Sequence, residues 1–153
     1  MKTLKQTIQE KLVINKDIKS NHYNYHPKTR NELIELVDKL IKERGNEADL
    51  NDIDTSKIDD MHKLFKDSNF NGDISQWDVS NVENMFAMFY NSKFTGENGD
   101  ISNWDVKKLK YAISMFQHSK FNCDISKWDV TNLEYSSDMF VDCPLENNLP
   151  KWD

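Results

Sequence analysis

The chain has 153 residues, of which 37% are hydrophobic and 30% charged, with a formal net charge of −6. These values fit one soluble domain, and no apolar run approaches the roughly 20 residues that a membrane-spanning helix needs. The charge is unevenly placed: residues 1–45 carry ten Lys and Arg against six Asp and Glu, whereas residues 46–153 carry ten against twenty.

At the N-terminus Leu4, Ile8 and Leu12 recur at helical spacing before "SNHYNYHP" breaks the pattern, which predicts one short helix. The segment shows no signal-type apolar core, so a cytoplasmic chain is expected. His22 and His26 stand four apart, but Pro27 opposes a shared helical face and hence a zinc pair. From Pro27 the signals agree on a helix over about 30–44. Thr29 and Glu32 have capping-box spacing, Leu33, Leu36, Val37, Leu40 and Ile41 follow a 3.6-residue period, and Gly45 stands at the stop. Its single apolar stripe suits a cap over the next unit, so residues 1–45 read as an N-terminal segment with a capping helix.

Residues 46–153 read as repeats. "DISQWDVSN" (73–81) returns as "DISNWDVKK" (100–108) and "DISKWDVTN" (124–132). Trp104, Trp128 and Trp152 are 24 residues apart, and the 27 between Trp77 and Trp104 include the insertion Glu97, Asn98, Gly99. Stepping back 24 residues from Trp77 reaches Ile53 in a fourth, earlier copy, and a fifth begins at "NLPKWD". A period of 24 predicts stacked repeats in which each copy buries its neighbour's face. Ile53, Trp77, Trp104, Trp128 and Trp152 form one expected core column. Met88, Phe89, Met115, Phe116, Met139 and Phe140 form another.

Within each copy, Asp-Ile-Ser reads as a very short parallel strand. Ser80 with Glu83 and Thr131 with Glu134 read as capping boxes for a short helix or 3₁₀ turn. The expected fold is therefore α/β, a leucine-rich-repeat-like solenoid with an N-terminal capping helix.

Aspartates recur in two columns: Asp49, Asp73, Asp100 and Asp124, and Asp54, Asp78, Asp105, Asp129 and Asp153. Calcium is one explanation. Acceptance of backbone N–H groups, as in Asx turns, is the other, and it is favoured because Asn148 continues the first column without a charge. Cys123 and Cys143 occupy positions that are Gly or Ser in other copies and read as packed free thiols. Every Ser, Asp and Asn of the repeats recurs as architecture, so neither catalysis nor a cofactor is expected. The third copy alone replaces Ser, Asn and Glu by Lys107, Lys108 and Lys110.

"FNGDISQWDVSNVENMFAMFYNSKFTG" resembles the repeat of BspA-like leucine-rich-repeat proteins in its Phe-Asn, Asp-Ile-Ser, Trp-Asp-Val and Met-x-x-Met-Phe phrases, over about residues 49–153. The resemblance implies a parallel-ladder solenoid, often carried on bacterial surface proteins and lipoproteins that act in adhesion, with no catalytic residues. The function expected is non-catalytic binding of another protein, basic or itself nucleic-acid-binding, without direct contact with nucleic acid or membrane. Asn71, Ser75, Gln76, Ser102, Asn103, Ser126 and Lys127 on the expected ladder, with the Lys107, Lys108 and Lys110 spot, are the candidate contact residues. The alternatives are an acidic nucleic-acid mimic of the kind phages and mobile elements use against host defences, and a surface adhesin.

Overall fold

A computed structural model describes residues 1–8 and 23–152. Residues 4–8 are helical. Leu12 and His22, and with them the rest of the first predicted helix and the histidine pair, lie outside the described residues, as does Asp153.

Helix α1 spans Arg30–Arg44. Thr29 caps it by accepting the Glu32 N–H at 3.2 Å, and Gly45, at φ 93°, donates its own N–H to the Ile41 carbonyl. The capping box is displaced by one residue, because the Glu32 carboxylate accepts from Lys28 N–H rather than from Thr29. Leu33, Val37 and Leu40 are buried from this helix and join the core of the repeats.

The α/β solenoid expected for residues 46–153 is not what forms. The described residues contain no multi-residue strand and no sheet, only isolated parallel bridges, and after α1 the one further helical element is a 3₁₀ turn, Pro144–Asn147. Each repeat is instead a chain of tight turns. In the second, backbone N–H groups return three residues to close Ile74–Trp77, Val79–Val82, Met85–Met88, Ala87–Tyr90 and Phe89–Ser92.

Two local competitions explain the difference. The predicted helix from Ser80 never starts, since Ser80 N–H and Oγ both go to Asp78 Oδ1 and Glu83 N–H goes to Asp59 O of the preceding repeat. It could not continue either, because Ala87 and Asn91 adopt φ of 50° and 51°. Left-handed residues recur at the same two places in every copy, at Lys63 and Asp67, Ser114 and His118, and Asp138 and Asp142. Such a conformation costs on the order of 1–2 kcal/mol in a residue with a Cβ, so bonding between repeats must offset it. The expected Asp-Ile-Ser strand fails for a related reason. The Asp73 N–H crosses to Ala48 O, but the Ser75 N–H is taken locally by Asp73 Oδ1 and the chain then turns back through Trp77 N–H to Ile74 O, so only Asp49 and Asp73 bridge on that side.

The repeats meet through four columns of backbone hydrogen bonds. Met61, Lys63, Phe65 and Asp67 donate to the carbonyls of Asn84, Phe86, Met88 and Tyr90 at 2.8–2.9 Å. Met85, Ala87, Phe89 and Asn91 donate in turn to Tyr111, Ile113, Met115 and Gln117 at 2.8–3.0 Å. Ala112, Ser114, Phe116 and His118 continue to Tyr135, Ser137, Met139 and Val141. In a strand the intervening N–H groups would bond the other neighbour. Here they close turns inside their own repeat, as Leu64 to Met61 and Lys66 to Lys63 do.

Aromatic rings fill the centre. Phe65, Phe89, Phe116 and Phe140 stack at centroid separations of 5.5, 5.5 and 5.9 Å, and Phe70, Phe94 and Phe121 make a second pile at 6.4 and 6.0 Å. Trp77, Trp104 and Trp128 are buried beside them, and each indole N–H reaches back to a carbonyl of the preceding repeat, at Leu50, Ile74 and Ile101. Trp152 repeats the bond to Ile125 at 2.9 Å, and it and Phe140 are half-buried at the end of the stack. Gly72 is required where repeats touch closely, since a Cβ there would lie 2.0 Å from Ala48 O.

Candidate interaction surface

The aspartate columns are structural. Asp49, Asp54, Asp73, Asp78, Asp100, Asp105, Asp124 and Asp129 each accept, through Oδ1, the N–H two residues on, at 2.8–3.1 Å. Bonds from Ser126 and Thr131 hold the exposed Asp124 and Asp129 carboxyls below their usual range. At Asp73, burial pushes upward as the largest single influence, and the two bonds from Ser75 with one from Asn51 outweigh it. Among the described residues no group of three or more His, Cys, Asp or Glu is placed to hold a metal ion.

The residues singled out on the Asp-Ile-Ser side are divided by the fold. Gln76, Asn103, Ser126 and Lys127 are exposed, Ser75 is half-buried and Ser102 is buried. Asn71 ties repeats together: its Oδ1 accepts both N–H and Oγ of Thr95 at 2.9 Å, and its carbonyl accepts Asn98 Nδ2. The lysines of the third repeat also have internal partners. Lys108 Nζ donates to Asn81 Oδ1 at 3.0 Å, Lys110 Nζ lies 3.3 Å from Glu83 Oε1, and Lys107 O accepts Asn132 Nδ2. The Glu83 carboxylate raises the Lys110 pKa.

A different face carries exposed apolar surface. The bridge column Asp60, Asn84, Tyr111, Tyr135 ends in two tyrosines whose rings stack at 5.1 Å and 3° while remaining 42% and 48% exposed. Beside them His62, Lys63, Asn84, Phe86, Tyr111 and Ile113 line a shallow cavity of about 400 Å³. Phe86 and Ile113 are half-buried, and Lys63 Nζ lies 5.5 Å from the Phe86 ring centre. The backbone beneath is the bonded ladder, so these side chains stand on a fixed frame. Sequence reading passed over them because they occupy the variable slots of the phrase. The signal available was the appearance of Tyr111 and Tyr135 at a slot that is Asp60 or Asn84 in earlier copies, beside a slot that runs His62, Phe86, Ile113.

Fold and surface together define a repeat protein closed by turns, with a core of stacked rings and one aromatic face left open. Residues 34–152 match the family described as "Mycoplasma protein of unknown function, DUF285", and the chain belongs to that family. This match replaces the BspA-like leucine-rich-repeat resemblance, which the family comparison does not return. No curated protein and no solved structure matches the chain. Among the described residues no helix is long and apolar enough to cross a membrane.

Proposed function

We propose that the chain is a non-catalytic protein-binding module that uses the Tyr111–Tyr135 face. The observation that carries this reading is the pair of stacked, half-exposed tyrosines on a hydrogen-bonded backbone. Tyrosine supplies large contact area at low conformational cost and is enriched where binding energy concentrates. The partner proposed is a basic protein, since residues 46–153 carry twenty acids against ten bases and such a field speeds the approach of an opposite charge. The cytoplasm is the proposed location, supported by Cys123 and Cys143 remaining free thiols in packed positions.

The test is capture of partners by the full chain and by a Tyr111→Ser/Tyr135→Ser variant with an unchanged melting curve. Loss of the captured protein in the variant supports the reading, and equal capture by both defeats it. The second reading, an inhibitor occupying the nucleic-acid site of a basic target, rests on the same charge and predicts that the captured partner releases DNA or RNA when the chain is added.

A further inference from the structure

The insertion Glu97, Asn98, Gly99 gives the chain the second of its two Asn-Gly pairs, the first being Asn71-Gly72. Packing imposes the glycine in both. A Cβ at Gly72 would lie 2.0 Å from Ala48 O, and one at Gly99 would lie 2.6 Å from Asp73 Oδ1 and 2.8 Å from Asp73 Cα. Glycine, having no side chain, is also the residue whose backbone nitrogen most readily reaches the side-chain amide carbon of an asparagine before it. The two asparagines are held differently. Asn71 is half-buried, its Oδ1 accepts both Thr95 N–H and Oγ at 2.9 Å, and its own N–H donates to Asn46 O at 2.7 Å. Asn98 is exposed, and among the described residues its side chain makes one hydrogen bond, from Nδ2 to Asn71 O at 2.6 Å. No group among the described residues accepts the Gly99 N–H.

We propose that Asn98 is a self-modification site, at which the chain deamidates and thereby loosens the contact between its second and third repeats. The Gly99 N–H gives its proton to hydroxide, and the nitrogen attacks Asn98 Cγ. The new C–N bond forms as the Cγ–Nδ2 bond breaks, and Nδ2 takes a proton from water and leaves as ammonia. Water then opens the cyclic imide, at Cγ to leave aspartate or at the main-chain carbonyl carbon of residue 98 to leave isoaspartate. In sum one water is consumed and one ammonia released, with no oxidant or reductant. Gly99 is buried beneath Asp73, so the attack proceeds from a local opening of the bend at 96–99. That opening breaks the one bond of the Asn98 side chain, whereas Asn71 must give up two bonds to its carboxamide oxygen. The product sets a carboxylate against the Asn71 carbonyl where a donor stood, between the acidic neighbours Glu97 and Asp100. A lost hydrogen bond and added like charge both weaken the junction. The site is separate from the tyrosine face and stands or falls independently of it.

The test incubates the full chain at about pH 9 and body temperature in heavy-oxygen water, with site-by-site mass spectrometry of a digest. A capped peptide of residues 94–102, FTGENGDIS, reports the chemistry without the fold. The expected result is heavy oxygen at residue 98 at least about tenfold faster than at residue 71, and within about a hundredfold of the peptide. Thr95→Val, which frees Asn71 Oδ1 of one bond, should speed residue 71 and narrow the gap. Residue 98 unmodified while the peptide converts, or residue 71 converting as fast in the parent chain, overturns the proposal. The deamidated chain, separated by its extra negative charge, should melt at least about 2 °C below the fresh chain. Asn98→Asp should reproduce the loss, and equal midpoints for all three would overturn the loosening of the junction.

Discussion

The indole N–H of Trp128 donates to the carbonyl oxygen of Ile101 across 3.0 Å, fastening one repeat to the backbone of the repeat before it. Trp128 is 3% exposed, so its bond has no ready substitute in water. Trp128→Phe keeps a ring but leaves that carbonyl unpaired, and should lower stability by about 1–3 kcal/mol. Trp128→Ala, which also opens a cavity, should cost about 3–5 kcal/mol. A urea melt of Trp128→Phe within about 0.5 kcal/mol of the parent would show that packing alone fixes the column.

Ser114 at φ 56° offers a test of the left-handed positions. Ser114→Gly should leave stability within about 0.5 kcal/mol, relief of strain being balanced by the freedom glycine gains when unfolded. Ser114→Val places a β-branched side chain in the same conformation and should cost about 1–2 kcal/mol. Equal midpoints for the two variants would mean that the backbone here is not left-handed.

The ion pair between Arg44 and Asp52 sets a pH dependence. Arg44 Nη1 and Nη2 approach the two carboxylate oxygens at 2.8 and 2.9 Å, and Asn24 Nδ2 adds a bond at 2.9 Å. Chiefly through Arg44, the Asp52 pKa falls from 3.8 to about 2. A depressed carboxyl stabilises the fold above its unfolded pKa, and that contribution is lost as pH falls through the folded one. Stability should therefore be flat with respect to this group above about pH 5 and lose about 2 kcal/mol between pH 4 and 2. Arg44→Met should be less stable near neutral pH and show a shallower acid limb. An acid limb unchanged in that variant would place the titration elsewhere.

Tyr111 and Tyr135 should couple weakly. Their rings stack but remain half-exposed, so each single change to Ala should cost about 1 kcal/mol or less. A double-mutant cycle should return about 0.5 kcal/mol of interaction, the low end for aromatic pairs. A coupling near zero would indicate that the rings are not held together in solution.

The period, the Trp and Phe columns and α1 were legible in the sequence because each obeys a rule written in residue type. Stacking like on like requires Phe89 to recur as Phe116, and a helix announces itself with Thr29 and Gly45. The turns between were misread because the deciding conformations belong to Lys63, Ala87 and Ser114. None of these residue types signals a left-handed backbone, which only bonding to the next repeat imposes. The Asp78–Ser80–Glu83 stretch carries a helix-start pattern, yet its donors answer to Asp78 and Asp59. The tyrosine face stayed hidden for the opposite reason: it is built from the slots that do not repeat.

The four hydrogen-bond columns give the stack an electrical direction. Their peptide groups all point the N–H toward the last repeat and the carbonyl toward the first, and aligned peptide dipoles of about 3.5 D each add rather than cancel. Within these four columns the positive end lies toward the last repeat and the negative end toward the first, the reverse of the polarity along an α-helix. The N–H groups of Glu83, Lys93, Lys110, Tyr111, Lys120, Glu134 and Tyr135 point the other way elsewhere in the stack and offset part of that dipole. The two side chains that close columns match those poles, the guanidinium of Arg30 at the carbonyl end and the carboxylate of Glu146 at the amide end. Glu146→Gln would keep a bond to Asp142 while removing the charge, and Arg30→Gln would do the same at the opposite pole. Each column therefore turns its N–H groups toward the last repeat and its carbonyls toward the first, so a carboxylate meets one end and a guanidinium the other.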